Sequence, residues 1–180
     1  VNANGLTDAN HFSTARDLAI MTRVAMQNST FRQIVGTTSY TIPKDNIYRS
    51  REIQTGVKFI LPAEKESGTY YEYATGVKTG TTSAAGRCFV ASASKDGVTL
   101  IAVVLGCTTD KARYTDAIKL MDYGFSQYTS TSIAEIYATN PKSIDVQGFA
   151  LDDPEVGRLK LNLRLVDKNV HDLVVTSSDQ

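Results

Sequence analysis

The chain has 180 residues, of which 42% are hydrophobic and 21% are charged, and it carries no formal net charge. Such values are typical of a soluble globular protein, and the length suits one ordinary domain or one and a half small ones. The balanced charge argues against nucleic acid as a partner, and the longest apolar run, residues 100–105, is too short to cross a bilayer. Residues 1–4 do not resemble a signal peptide, so the sequence fits both a cytosolic and an already processed protein.

Cysteine and histidine usage gives no sign of a metal site. The chain has two cysteines, Cys88 and Cys107, and two histidines, His11 and His171, which lie far apart in the sequence. Metal ligands are usually spaced as in C-x-x-C or H-E-x-x-H, and neither pattern occurs here. We therefore expect no metal and no other cofactor. His11 precedes a predicted helix, where a structural role is favoured.

A helix is predicted near residues 14–27, in the segment STARDLAIMTRVAMQN. Thr14 stands three residues before Asp17, which is the spacing of a helix-capping box. Apolar residues recur behind it at helical intervals, namely Leu18, Met21, Ala25 and Met26. A short helical turn near 31–35 and a β-branched strand at 37–42, ended by a proline, are predicted to follow.

Residues 43–72 are the least readable part of the chain. They are charged and polar, and Gly56, Pro62 and Gly68 interrupt any period. We predict a long irregular segment here, and the sequence is compatible with a short hairpin within it.

Three strands are predicted next, near residues 75–81, 87–94 and 98–106. The second and third are joined by Asp96-Gly97, which is a strong signal for a two-residue hairpin turn. These strands are expected to form one antiparallel sheet.

The hairpin register determines where the two cysteines lie. Counting back from the turn, Lys95 pairs with Val98 and Cys88 with Leu105, so that Cys107 lies diagonally across from Cys88 on the same face. A disulfide needs closer geometry than a diagonal pair usually gives. Free cysteine is among the most buried residue types, so two buried thiols are favoured over a bridge.

A second helix is predicted near residues 111–127, in the segment DKARYTDAIKLMDYGFSQY. Its apolar face, which is expected to pack on the sheet, consists of Tyr114, Ala117, Ile118, Met121 and Phe125. The predicted fold class is α+β, with an antiparallel sheet packed against helices near 14–27 and 111–127 and followed by a small all-β unit.

A domain boundary is predicted near Ser130, between residues 1–129 and a small β-rich unit at 131–180. Segments of alternating polarity predict its strands: SIDVQGFA, RLKLNLRLVD and DLVVTSS. A turn is predicted at residues 167–169. The last predicted strand lies close to the final residue of the sequence.

Lys78, Thr79 and Gly80 stand at the end of the first of the three predicted strands. A lysine ammonium is a compact charge with three donors that attracts a carboxylate, and a threonine hydroxyl can bind the same anion. Glycine lets a ligand approach closely, and a strand edge can bind an extended peptide. These features suit a peptide that ends in a carboxylate. The alternative is a solvated strand end followed by a turn.

The segment VKTGTTSAAGRCFVASASKDGVTLIAVVLG resembles the serine D-alanyl-D-alanine carboxypeptidases, the low-molecular-mass penicillin-binding proteins. The resemblance extends through DKARYTDAIKLMDYGF and NANGLTDANHFSTARDLAIMTRVAM and covers about residues 1–128. In this superfamily a K-T-G strand is the third of three motifs, after S-x-x-K and S-x-N. The resemblance implies the C-terminal part of a penicillin-binding catalytic domain and the start of a β-rich C-terminal domain.

The resemblance also implies roles for the matching residues. Lys78 and Thr79 would position the active-site hydroxyls and the carboxylate of the substrate or of penicillin, with Gly80 completing the motif. The backbone N–H of Thr81 would form half of an oxyanion hole, and Arg113 would help to hold the terminal carboxylate. For Arg113 the alternative is a surface arginine in the first turn of a helix.

The sequence does not offer the nucleophile that this chemistry requires. S-x-x-K occurs once, at Ser92–Lys95, and S-x-N does not occur. Residues i and i+3 share a face on a helix, but this segment is predicted to be a strand, in which they point to opposite faces. We therefore expect that the N-terminal catalytic part is absent and that the chain is inactive alone. Residues 98–106 would then form an uncovered apolar edge, and self-association is expected through this edge or through exposed apolar helix faces.

The leading hypothesis is a part of a carboxypeptidase that trims peptidoglycan stem peptides through an acyl-serine intermediate and is acylated by β-lactams. The alternative is a non-catalytic penicillin-binding fold that serves as a sensor or a wall-peptide receptor. A β-lactamase relative is a third reading, which the C-terminal β-rich unit disfavours. The resemblance implies stem peptides and β-lactams as partners and an extracytoplasmic location in the cell envelope.

Overall fold

The computed structural model describes residues 1–132, 144–145, 158–159 and 172–176. The chain divides into two compact units, Val1–Gln127 and Tyr128–Gln180. The helices and strands of the first unit are, in chain order, α1 (Ala15–Ala25), α2 (Ser29–Gly36), β1 (Ser39–Ile42), β2 (Arg51–Gln54), β3 (Ala74–Thr82), β4 (Gly86–Lys95), β5 (Val98–Cys107) and α3 (Asp110–Gln127).

The capping box predicted at the start of α1 is confirmed. The Thr14 hydroxyl accepts a hydrogen bond from the backbone N–H of Asp17 at 3.1 Å and donates one to the Asp17 carboxylate at 2.8 Å. The predicted apolar face of α1 was wrong in one residue, because Met21 is 62% exposed while Thr22 is buried. Leu18, Thr22 and Ala25 form the inward stripe, and Met21 lies one residue, or about 100°, away from it.

β3, β4 and β5 form one antiparallel sheet in that order. The predicted hairpin between β4 and β5 is confirmed, since Lys95 pairs with Val98. Both turn residues have positive φ, 48° at Asp96 and 80° at Gly97, as a type I′ turn requires.

The predicted positions of the two cysteines were wrong. Phe89 pairs with Val104, but two residues earlier Arg87 pairs with Cys107, so the register shifts by one residue between these pairs. The shift places Cys107 opposite Arg87 instead of diagonal to Cys88. Both thiols are free, as expected, but they are half-buried and not fully buried.

The core lies between α3 and the sheet, as the apolar face of this helix predicted. Tyr114, Ala117 and Met121 are buried, and Ile118 and Phe125 pack against them. α1 packs mainly against β5, and α2 packs against β3.

The region between β2 and β3 contributes more to the core than its polar composition predicted. Two 3₁₀ turns, Lys58–Ile60 and Pro62–Glu64, carry Phe59 into the core. The Phe59 ring lies 5.5 Å from Tyr71 and 5.2 Å from Phe89, measured between ring centroids.

A short hairpin is present as well, because β1 and β2 pair antiparallel.

The described residues of the second unit are all strand: β6 (Tyr128–Ser132), β7 (Ile144–Asp145), β8 (Arg158–Leu159) and β9 (Asp172–Thr176). β6 pairs antiparallel with β9, and β7 with β8. The predicted turn at 167–169 and most of the predicted strand at 158–167 lie outside the described residues. The predicted α+β class is confirmed.

Candidate functional site

The exposure of β3 changes sharply along its length. Gly76 and Val77 are buried, whereas Lys78, Gly80 and Thr81 are exposed. Among the described strands β3 pairs only with β4, so its second edge is unpaired there. An unpaired strand edge presents backbone N–H and C=O groups that can bind a peptide.

Pairing with β4 determines which face each side chain of this motif takes. Thr79 pairs with Phe89 and Thr81 with Arg87. Phe89 packs against Tyr114 of α3, with 5.1 Å between the ring centroids, so the two threonines lie on the face that α3 covers. Lys78 lies on the opposite face.

The Lys78 ammonium is available to an anion. It donates one hydrogen bond, to the backbone carbonyl of Thr79 at 2.7 Å, which is on its own strand. Within residues 1–132, no carboxylate lies within ion-pair distance of Lys78. Since an ammonium has three donors, two of them remain for a ligand.

Arg113 reaches from the first turns of α3 to the end of β3. Its Nη1 donates to the Thr81 hydroxyl at 3.1 Å and to the Gly80 carbonyl at 3.4 Å. Its Nη2 forms an ion pair with Asp110, and its guanidinium carbon lies 5.1 Å from the centre of the Tyr114 ring. The residue is only 7% exposed, so it is not the surface arginine that was the alternative interpretation.

The two glycines of β3 have opposite surroundings. A Cβ added at Gly76 would lie 2.9 Å from Val35 Cγ2 and 3.2 Å from the Val35 carbonyl oxygen. The φ angle of Gly76 is +145°. A Cβ added at Gly80 would meet no atom within 4 Å. Space beside the site is therefore open at Gly80, whereas Gly76 is required by packing.

The single S-x-x-K segment lies on β4, as predicted, and its serine and lysine are on opposite faces. Ser92 is fully buried and accepts a hydrogen bond from the Thr75 hydroxyl at 2.9 Å. Lys95 lies over the Tyr73 ring, 4.8 Å from its centre. This geometry cannot serve a serine nucleophile and a neighbouring lysine.

Asp110 is the site residue that sequence reasoning missed. The signal was present, because an aspartate three residues before an arginine in a first helical turn is a spacing that brings the two side chains together. His11, for which a structural role was predicted, is exposed. Its backbone N–H donates a hydrogen bond to the Asp8 carbonyl at 3.0 Å.

Two further observations concern the described residues. No group of three His, Cys, Asp or Glu side chains in them lies close enough to hold a metal ion. None of the helices in this part of the chain has the length and apolar character that crossing a membrane requires.

Residues 1–109 match the family model described as D-alanyl-D-alanine carboxypeptidase. The chain belongs to this family. The match contains the whole of β3, β4 and β5, and therefore the K-T-G segment.

Curated relatives of this D-alanyl-D-alanine carboxypeptidase family member match stretches of similar length. The D-alanyl-D-alanine carboxypeptidase DacF of Bacillus subtilis is 35% identical over 127 residues, which is 71% of this chain and 30% of the relative. The D-alanyl-D-alanine carboxypeptidase of a Streptomyces strain is 36% identical over 126 residues, which is 68% of this chain and 41% of the relative. The chain thus spans less than half the length of these curated relatives.

Solved structures of the family have the same fold. The crystal structure of a Streptomyces DD-transpeptidase superposes with a TM-score of 0.58 at 36% identity, covering 68% of this chain and 45% of that one. The D-alanyl-D-alanine carboxypeptidase of Mycobacterium tuberculosis superposes with a TM-score of 0.53 at 31% identity, covering 63% of this chain and 40% of that one.

Proposed function

We propose that the chain is part of a serine-type D-Ala-D-Ala carboxypeptidase and supplies the carboxylate-binding side of its active site. In this reaction a serine hydroxyl attacks the carbonyl of the penultimate D-alanine, and the terminal D-alanine leaves. Water then hydrolyses the acyl-serine ester. Penicillins would acylate the same serine. The observation that carries the proposal is the open end of β3, where an exposed Lys78 lies beside an unpaired edge within a family member.

Lys78 and Thr79 are the proposed ligands of the terminal carboxylate of the stem peptide. The two unused donors of the Lys78 ammonium would attract the anion. The Thr79 side chain lies on the opposite face of β3, so its hydroxyl would reach the same anion only around the unpaired edge of the strand. Gly80 leaves the space beside them open, since nothing lies within 4 Å of the position of a Cβ there. Arg113 adds positive charge behind the strand.

The Thr81 N–H is proposed as one donor of the oxyanion hole. Thr81 is two residues after Thr79, so the backbone groups of both residues point to the same edge of β3. A fixed backbone donor stabilises the negative charge that develops on the carbonyl oxygen, and removing one such donor typically costs about 100- to 1000-fold in kcat.

Calorimetric titration of the chain tests the carboxylate site. We expect an acetylated peptide ending in D-alanyl-D-alanine to bind, and its C-terminal amide to bind at least about tenfold more weakly, a difference of about 1.4 kcal/mol. Lys78→Met should abolish this preference, and Lys119→Met, at an exposed ion pair on α3, should leave it intact. Equal binding of acid and amide by the unmodified chain would contradict the proposed site.

The nucleophile is proposed to lie outside these 180 residues, since Ser92 and Lys95 face opposite sides of β4. Intact mass spectrometry after incubation with a penicillin tests this. The expected result is an unchanged mass, and an adduct of one penicillin would place a nucleophile within the chain. The same geometry favours a second candidate, a wall-peptide receptor without turnover, which would share the carboxylate preference but would show no acylation in its full-length form.

The proposed substrate also implies a location. Peptidoglycan stem peptides lie outside the cytoplasmic membrane, so a protein that trims or binds them works in the cell envelope. We therefore propose an extracytoplasmic location for the protein.

Self-association through β5 is a further part of this proposal. β5 pairs only with β4 among the described strands, and an unpaired apolar edge is a template for pairing between copies. Leu105 on β5 is 40% exposed and Leu120 on α3 is 49% exposed, which makes them matched test positions. Light scattering should show oligomers that Leu105→Lys disperses and Leu120→Lys does not. A monomer at high concentration would rule out this interface.

A further inference from the structure

Most of the guanidinium donors of Arg113 are used within the protein. Nη1 donates to the Thr81 hydroxyl and the Gly80 carbonyl, and Nη2 is paired with the Asp110 carboxylate. Nε is buried and has no hydrogen-bond partner in the described residues. The face of the group lies against the Tyr114 ring.

This arrangement commits Arg113 in part to the protein itself. A bidentate clamp on a carboxylate needs two parallel N–H donors on one side of the guanidinium. The donors of Nη1 are used by β3, Nη2 faces Asp110, and Nε is closed to solvent. A carboxylate that bound Nη1 and Nη2 together would compete with β3 for the Nη1 donors.

We propose that Asp110 is a positioning residue, which fixes Arg113 so that Arg113 holds the Gly80–Thr81 end of β3 in place. The effect of Asp110 on ligand binding rests on the proposed function. The effect on β3 does not, because the contacts from Asp110 to Arg113 and from Arg113 to Thr81 exist without a ligand.

Charge and burial explain why a half-exposed aspartate can have this effect. Arg113 has 8% of its side chain exposed, and a buried charge that loses its partner is unfavourable. Without Asp110 the guanidinium would turn toward solvent or toward another acceptor, and Nη1 would leave Thr81. The end of β3 would then lose a contact that ties it to α3.

The helix α3 contains a matched control. Asp116 pairs with Lys119 at the same i,i+3 spacing, and its side chain is 48% exposed, against 50% for Asp110. Lys119 is 78% exposed and does not reach β3. Asp116 also accepts a long hydrogen bond from the Cys107 thiol, at 3.9 Å, but it forms no ion pair or hydrogen bond with β3 in the described residues. Asp116→Asn therefore removes a similar surface charge from the same helix without breaking a contact to Arg113 or Thr81.

Amide hydrogen exchange at the end of the β3–β4 ladder tests the proposal without ligand. The ladder ends with the pairs Gly80–Cys88 and Thr82–Gly86. We expect Asp110→Asn to speed exchange of these amides about tenfold, which is about 1.4 kcal/mol of local opening free energy. Asp116→Asn should leave them unchanged, and Asp110→Glu should restore part of the protection. Exchange in Asp110→Asn equal to that of the unmodified chain would overturn the proposal.

A binding measurement separates this proposal from the proposed function. We expect Asp110→Asn to lower the preference for peptide acid over peptide amide at least threefold, and Asp116→Asn to leave it unchanged. If the unmodified chain binds no peptide, the proposed function fails, and the exchange experiment still decides on Asp110. If the peptide binds and exchange is the same in all variants, the positioning role fails alone.

Discussion

The two ends of β3 differ in packing, although one continuous strand joins them. At its start, Gly76 and Val77 are buried, and α2 approaches so closely that a Cβ on Gly76 would lie 2.9 Å from Val35. At its end, Lys78 is exposed and Gly80 has open space around it. The start of the strand is closed in by α2, whereas its end is open at Lys78 and Gly80.

The comparison shows that glycine serves two purposes in one strand. Gly76 is small because a neighbouring helix occupies the space, whereas Gly80 is small where the space is empty. Stability should therefore depend on the start of β3, and ligand binding on its end.

The largest expected effect comes from Gly76→Ala. The added methyl would contact Val35, and φ of +145° is a conformation that alanine rarely adopts, so we expect a loss of about 3 kcal/mol in the free energy of unfolding. Gly80→Ala is the control and should change stability by less than about 1 kcal/mol while weakening peptide binding. Chemical denaturation measures both variants, and equal destabilisation by the two would contradict the division.

A smaller effect is expected from the threonines of the same strand. Thr75→Val leaves the buried Ser92 hydroxyl without the hydrogen bond that it accepts at 2.9 Å, which should cost about 1–2 kcal/mol. Thr79→Val removes a hydroxyl at the open end and should leave the unfolding free energy unchanged within about 0.5 kcal/mol. Denaturation curves in urea distinguish the two. A more destabilising Thr79→Val would mean that the open end is also structural.

The smallest effect concerns Tyr71, which precedes β3. Its backbone carbonyl accepts a hydrogen bond from the Ala74 N–H at 3.1 Å. Burial raises the pKa of its hydroxyl, and the hydrogen bond that it donates to Asp122 at 2.8 Å raises it further. A raised pKa means that folding favours the protonated form. This contribution is complete below the ordinary tyrosine pKa of about 10 and is lost as the pH rises above it.

Tyr71→Phe should therefore cost about 0.5–1 kcal/mol at neutral pH and should make the unfolding free energy less sensitive to pH above about 10. Tyr40→Phe, at an exposed position on β1, is the control. The measurement is denaturation at a series of alkaline pH values. An unchanged alkaline dependence in Tyr71→Phe would show that this hydroxyl does not contribute.

Elements with local sequence signals were predictable. Thr14 and Asp17 marked the start of α1, Asp96-Gly97 marked the hairpin, and the spacing from Tyr114 to Phe125 marked the buried face of α3. In each case the signal lies in residues close in sequence, or in apolar residues that recur with the period of a helix.

The core contribution of the region before β3 was not predictable in this way. Four residues of this region are buried in the core: Val57, Phe59, Ile60 and Tyr71. They lie on a 3₁₀ turn and on irregular backbone, which have no hydrophobic period. The register shift near Cys107 also escaped, because a bulge adds one residue without a distinctive pattern of polarity.

The candidate site was predictable in its residues but not in its contacts. The placement of Lys78, Thr79 and Gly80 on this strand followed from the sequence, but Lys78 is the fifth of its nine residues and not at its end. The burial of Arg113 between Asp110 and Thr81 depends on how α3 packs on the sheet, and this tertiary contact leaves no local signal at Thr81.

The most direct test of the division within β3 is an NMR titration that follows its backbone amides as a peptide ending in D-alanyl-D-alanine is added. We predict shifts at Lys78–Thr82 that saturate with peptide concentration, little change at Ala74–Val77, and no such shifts with the C-terminal amide of the peptide. Shifts confined to Ala74–Val77, or identical shifts with acid and amide, would contradict a carboxylate site at the open end of the strand.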